Sequence, residues 1–234
     1  MDKFTAIYLE KNFIYEIDSS IMFKFSKREL GDLTIAFVVL TICFGIATAG
    51  MNVNGIISSL PIVIVGVVIG SISHELGHKF TAIKYGCDAE FKLWPLGLLL
   101  GLVTSFFGFV FASPGSIHIH PEYVSDEVSG RIFIAGPMVN MVLAIMLIVI
   151  AALIYPLNGH SSFFHLIYLI CTIGFSVNSY LATFNLFPIY SLDGTKVLKW
   201  NAKIWIVAIV ISGIMMLMSI TIGAENMVKL FLVL

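Results

Sequence analysis

The sequence predicts an all-α polytopic membrane protein with small interfacial β elements and five to six transmembrane helices, the count turning on one segment that either spans or re-enters. Composition is the first observation: hydrophobic residues make up 59% of the 234 and charged residues 12%, with a mean hydropathy of +0.99. That is far from the balance of a soluble domain. Second, apolar runs recur at about residues 32–50, 56–80, 96–113, 131–155, 163–187 and 203–223, most of them long enough for a hydrocarbon core of about 30 Å. Third, net charge is −1, with 13 Lys and Arg against 14 Asp and Glu. Without a basic patch interleaved with aromatics, a nucleic-acid partner is excluded. Cys43, Cys87 and Cys171 form no metal-ligand pair and read as small hydrophobes.

Taken in order, residues 1–31 are mixed and charged, unlike a signal peptide, and read as a cytoplasmic interfacial segment. Within it Phe13 to Ile17 and Ile21 to Phe25 are rich in aromatic and β-branched residues and flank Asp18-Ser19-Ser20, which predicts two strands and a turn. Residues 32–234 form the integral membrane part. Its third apolar run contains Gly97, Gly101 and Gly108 and ends at Pro114-Gly115, a composition that weakens a continuous helix.

The cations weigh on the same question. If all six runs span and the N-terminus is cytoplasmic, nine of the cations fall inside, while Arg131, Lys196, Lys199 and Lys203 lie outside. If the 96–113 run dips in and returns, twelve fall inside and only Lys229 outside. The positive-inside rule favours five spans plus a re-entrant segment.

The second run ends in His74-Glu75-Leu76-Gly77-His78. Helical residues four apart share one face, so both imidazoles reach one cation, and Glu75 lies beside it. That arrangement suits zinc with an open position for water, whose pKa the metal lowers to about 7. Ionisable groups are costly in a bilayer, so a cluster there marks function; a proton relay is the competing use. Gly66 and Gly70 continue the stripe at four-residue spacing, predicting a close helix approach on the histidine face.

A third ligand is sought among Asp88, Glu90, His118, His120, Glu122, Asp126, Glu127 and Asp193. Thr81 and Lys84 stand where a further histidine of the extended soluble motifs would fall. His118 and His120 alternate as on a wetted strand. Asp193 is favoured, because Pro188 should break the helix before it and let the carboxylate turn toward the second run. Asn185 then offers an amide to a developing oxyanion.

Three segments together resemble the site-2 proteases, the intramembrane zinc metalloproteases. His74 to His78 resembles their metal motif, Gly136-Pro137-Met138-Val139-Asn140 their Gly-Pro-x-x-Asn helix start, and Asn185 to Gly194 their Asn-x-x-Pro and Leu-Asp-Gly segment. The chain departs from them at Tyr190 and Ser191, where family members often carry prolines. The resemblance implies one zinc per chain held by His74, His78 and Asp193, Glu75 as general base, and Asn185 with Asn140 positioning the scissile carbonyl. It implies a transmembrane protein as substrate and the lipid bilayer as surroundings. Cation placement puts the site's opening toward the cytoplasm, and the want of a targeting peptide fits a prokaryotic cell membrane while leaving an organelle membrane open. An accessory regulator or a homo-oligomer is compatible with it. The alternative is a metal-ion transporter using His74, His78 and Asp193 as a transit site.

Overall fold

The computed structural model describes residues 6–10, 13–17, 25–111, 114–120, 124–189 and 192–233. Five helices in it are long and apolar enough to cross a membrane. The first, α1 (Lys27–Ala49), starts where the Ser26 side chain accepts the Glu29 N–H, an N-cap that satisfies an orphan donor. The second span is composite: α2 (Val53–Val67) passes through a π-turn (Val68–Ile72) into α3 (Ser73–Lys84). A π-turn inserts one residue into the helical repeat and is common at functional sites.

After α3 come β3 (Asp88–Leu93), the short helix α4 (Pro95–Ser105) and β4 (Gly115–His120). The two strands pair antiparallel from Asp88↔His120 to Leu93↔Gly115, and the Trp94 N–H donates to the Pro114 carbonyl at 2.9 Å. The segment that begins at Pro95 therefore leaves and returns at one point. α4 has 11 residues, about 16 Å at 1.5 Å per residue, too short to cross. The five-span prediction holds and the six-span alternative falls. Leu96, Leu99, Val103 and Phe107 of this excursion point outward, which suits lipid better than water.

The remaining elements are α5 (Asp126–Ile154), α6 (Ser162–Asn185), α7 (Asp193–Trp200), α8 (Ala202–Thr221) and α9 (Ala224–Val233). α5 lies at the centre, packed on α3, α6 and α7. Gly136-Pro137 does not start a helix, contrary to expectation, but sits inside α5. Ser125 caps that helix and Asp126 and Glu127 occupy its first turn, so the start lies where polar residues complement the helix dipole.

At the N-terminus, β1 (Ala6–Glu10) pairs antiparallel with β2 (Phe13–Ile17), in register from Ala6↔Ile17 to Glu10↔Phe13. The strand expected over 13–17 forms, paired with 6–10, a strand not expected from the sequence. Residues 18–24, which hold the expected turn and most of the expected second strand, lie outside the described residues.

Glu29 at the start of α1 and Lys79 on α3 form a buried ion pair, with Nζ 2.8 and 2.7 Å from the two carboxylate oxygens. Glu29 also accepts the Phe91 N–H of β3 at 3.2 Å, and Lys79 lies 4.2 Å over the Phe25 ring. Three elements are thereby tied next to His78. Removing one member of a buried pair strands the other charge, typically at about 3–5 kcal/mol, whereas apolar replacement of both is often tolerated. Glu29→Ala should therefore lower unfolding stability in detergent by roughly that amount, and Glu29→Leu with Lys79→Met should recover most of it.

Candidate metal centre

One group of three metal-capable side chains stands out among the described residues: His74, His78 and Asp193, all buried, each offering a ligand atom within 4.8 Å of the others. The two Nε2 atoms are 2.9 Å apart, and they lie 3.1 and 3.2 Å from Asp193 Oδ2. Tetrahedral zinc with bonds of about 2.0–2.2 Å would set its ligand atoms roughly 3.3–3.5 Å apart. The observed separations are close to that.

Hydrogen bonds behind the imidazoles decide which nitrogens face the centre. His78 Nδ1 is 2.8 Å from the Ile132 carbonyl, which can only accept, so Nδ1 carries the proton. His74 Nδ1 is 2.6 Å from Asn140 Oδ1. The Asn140 amide donates to the Gly70 carbonyl and to Asn178 Oδ1, both at 2.9 Å, and the Asn178 amide donates to the Gly174 carbonyl at 2.8 Å. Backbone carbonyls at the far ends admit only one orientation of each amide, so Asn140 presents oxygen to His74 and that ring too is protonated on Nδ1.

Both Nε2 atoms therefore bring lone pairs to the same point as Asp193, whose Oδ2 is buried with no hydrogen-bond partner. Three converging lone pairs repel unless a cation lies between them. The donor set fits zinc, with two imidazoles, one carboxylate and an open position.

Local structure explains how each ligand arrives. Gly136 on α5 faces the rings: a Cβ there would collide with His78 Nε2 and come within 2.6 and 2.7 Å of Cε1 of His78 and His74. Gly77 permits the same approach, since a Cβ would lie 3.0 Å from Val139 Cγ2 and 3.1 Å from the Ala135 carbonyl. Gly66 and Gly70 instead face α6, near Val177, Asn178 and Leu181. The π-turn rotates them away from the histidine stripe that regular four-residue spacing predicted.

α6 stops at Asn185, three residues before Pro188. Its end is sealed by the Trp205 indole, which donates to the Leu186 carbonyl at 2.8 Å. A Cβ on Gly194 would strike that carbonyl, so only glycine lets α7 begin against the end of α6 with Asp193 facing α3. Tyr190 and Ser191 lie outside the described residues.

Beside the ligands is a cavity of about 20 Å³ bordered by His74, Glu75, His78, Asn185 and Asp193, room for about one water. Glu75 Oε2 is buried there without a partner. Asn185 spends one amide hydrogen on the Leu181 carbonyl at 2.9 Å and lines the same cavity. Asn140 lies behind His74, fully buried. His118 is on the exposed face of β4 and outside the ligand group. Asn178 went unnoticed in the sequence, where an asparagine inside an apolar run was its only signal. Lys196, one turn after Asp193, sits 4.6 Å over the Phe133 ring; burial pushes its ammonium down and Asp193 opposes that.

No family model matches the chain, and no solved structure matches it. Three proteins with curated names do. A protein of Methanocaldococcus jannaschii provisionally named a zinc metalloprotease is 39% identical over 199 residues, 84% of this chain and 97% of that protein. A second protein of the same organism, named a zinc metalloprotease, is 28% identical over 133 residues, and the chain covers 31% of its length. A Bacillus subtilis protein, also provisionally named a zinc metalloprotease, is 27% identical over 157 residues, 61% of this chain and 70% of that protein.

Partners of the remote ring nitrogen commonly contribute 10- to 100-fold to metal affinity. Asn140→Leu should weaken zinc binding by about that factor, measured by chelator competition. Gly136→Ala should abolish stoichiometric zinc, read by elemental analysis of the purified protein.

Proposed function

Because the chain belongs to the zinc metalloprotease family of its archaeal relatives, we propose that it is a site-2-type intramembrane endopeptidase, hydrolysing a peptide bond within or near a transmembrane segment of another protein. The observation that carries this reading is the buried Glu75 Oε2, without a hydrogen-bond partner, beside a one-water cavity and the His74, His78 and Asp193 group. A carboxylate left without a partner in such surroundings is costly unless chemistry uses it.

Zinc, when bound by His74, His78 and Asp193, supplies Lewis acidity that makes a water nucleophilic near neutral pH. Glu75 takes the proton from that water and passes it to the leaving amine. Asn185 directs its second amide hydrogen at the substrate carbonyl, where negative charge develops. Asn140 holds the His74 ring and its tautomer, a positioning role rather than the carbonyl-binding one that the family resemblance implied.

A helical substrate hides its carbonyls in backbone hydrogen bonds, so it must be unwound. Gly115, Ser116 and Ile117 of β4 border the metal cavity, and an added strand along β4 would present an extended segment to Glu75. In this reading residues 1–31 lie at the cytoplasmic face and 32–234 form the membrane protease domain. His78 lies six residues before the end of α3, roughly 9 Å from it at 1.5 Å per residue, so water reaches the metal from the cytoplasmic side.

The deciding measurement is zinc content together with cleavage of a panel of single-span membrane substrates by purified protein. Native protein should hold one zinc per chain and cleave. Glu75→Gln should keep the zinc and lose cleavage by at least about 10²-fold; Asp193→Ala should lose both. Stoichiometric zinc with no cleavage, and metal flux insensitive to Glu75→Gln, would instead support the transit site of a transporter.

A further inference from the structure

The metal cavity does not open onto uniform surroundings. On one side it shares Leu40, Ser71, Glu75 and Pro114 with a cavity of about 370 Å³ between α1 and α3. The walls there include Leu33, Phe37, Leu76 and Phe91, and Glu75 is the one ionisable group among the described lining residues. On the other side it shares Gly115 and Ser116 with a cavity of about 420 Å³ at β3 and β4. Among the described residues this second space is bordered by Lys92, His118 and Lys196 together with Trp94, and by no carboxylate. Glu90, cross-strand from His118, is bonded to the Ser26 hydroxyl at 2.7 Å and does not border it.

We propose that these cavities are two unlike subsites reading the substrate on opposite sides of the scissile bond: a large apolar side chain between α1 and α3, and an aspartate or glutamate side chain among Lys92, Lys196 and His118. The inference rests on the protease reading and names its substrate class, a membrane segment cut where apolar sequence gives way to an acidic residue.

The spacing is suitable. Lys196 lies one helical turn from the metal-facing Asp193, about 5 Å along α7, and an extended chain advances about 3.4 Å per residue. A carboxylate two or three residues from the scissile bond would reach the cations. The first cavity has too few polar groups to satisfy a buried charge, so an acidic or basic side chain is rejected there. In the second, the cations Lys92 and Lys196, with no carboxylate among the described bordering residues, favour an acidic flank and repel a basic one. Anionic lipid headgroups share this chemistry, but Gly115 and Ser116 connect the space directly to the metal cavity, which favours the substrate.

The test uses the full-length protein in bilayers and synthetic single-span peptides in which the residues within three of the cut, located by mass spectrometry, are varied. One side carries Leu, Phe, Ala or Asp; the other carries Asp, Asn or Lys. Native protein should cleave Asp-flanked peptides at least fivefold better in kcat/KM than Lys-flanked ones, the difference lying mainly in KM. Lys92→Glu should reverse that order and Lys196→Gln should flatten it, with zinc content unchanged. Thr34→Trp, at the rim of the apolar cavity, should erase the preference for Leu or Phe over Ala. The proposal is overturned if flank charge has no effect, if the order survives Lys92→Glu, or if rate follows the anionic lipid content of the bilayer rather than the peptide. Zinc-loaded native protein that cleaves no peptide in the panel would end the protease reading, and this inference with it; cleavage without these preferences ends only the inference.

Discussion

The Asn178, Asn140 and His74 chain of hydrogen bonds is the constraint on which the centre depends. In an apolar interior each polar group must be satisfied by protein, and an unsatisfied amide costs on the order of 1–3 kcal/mol. The chain meets that demand directionally. It begins on backbone carbonyls of two helices, Gly174 on α6 and Gly70 in the π-turn, and ends on His74 Nδ1. Since carbonyls cannot donate, the polarity of the whole chain is fixed, and with it the nitrogen that His74 turns toward Asp193. Helix packing and ligand chemistry are thus one problem solved by the same atoms.

Irregular helix geometry clusters at the same place. The π-turn brings the Gly70 carbonyl to the Asn140 amide. Pro137 deprives the Phe133 carbonyl of its usual partner, and the adjoining Ile132 carbonyl accepts from His78. The break at Pro188 ends α6 and lets α7 deliver Asp193. Regular helices close their own hydrogen bonds and leave nothing with which to hold a site. The π-turn and the break at Pro188 each supply a group that the centre uses. Glycines at 77, 136 and 194 then allow backbones to approach where a methyl would collide.

Much of this was legible in the sequence, for reasons that can be named. Length and hydropathy identified the spans because a bilayer imposes both, and cation placement separated five spans from six. His74, His78 and Asp193 were legible because helical spacing and a proline break are local properties. What escaped depended on tertiary contact. The π-turn has no residue signature in Val68-Ile69-Gly70-Ser71-Ile72, and without it Gly66 and Gly70 were placed on the wrong face. Asn178 meets Asn140 across 38 positions of sequence. The start of α5 was misplaced because Gly136-Pro137 resembles a helix beginning, whereas Ser125, Asp126 and Glu127 cap one more strongly. The strand over 6–10 is visible in Ala6-Ile7-Tyr8-Leu9-Glu10 only once 13–17 is known to need a partner.

The same rigidity bears on what the centre does. A transit site for metal must exchange ligands easily, so its donors profit from mobility. Here both imidazoles are anchored through their remote nitrogens, Gly136 is pressed against them, and the adjoining space holds about one water. Donors held this way would keep an ion rather than pass it on. Glu75 is also hard to assign to transport, because its Oε2 is buried without a partner and a fourth permanent ligand would close the position that a substrate needs. Three converging ligands, room for about one water and a buried carboxylate oxygen without a partner are the parts that the proposed hydrolytic centre needs, and the apolar space beyond Glu75 is where a membrane segment would present its backbone.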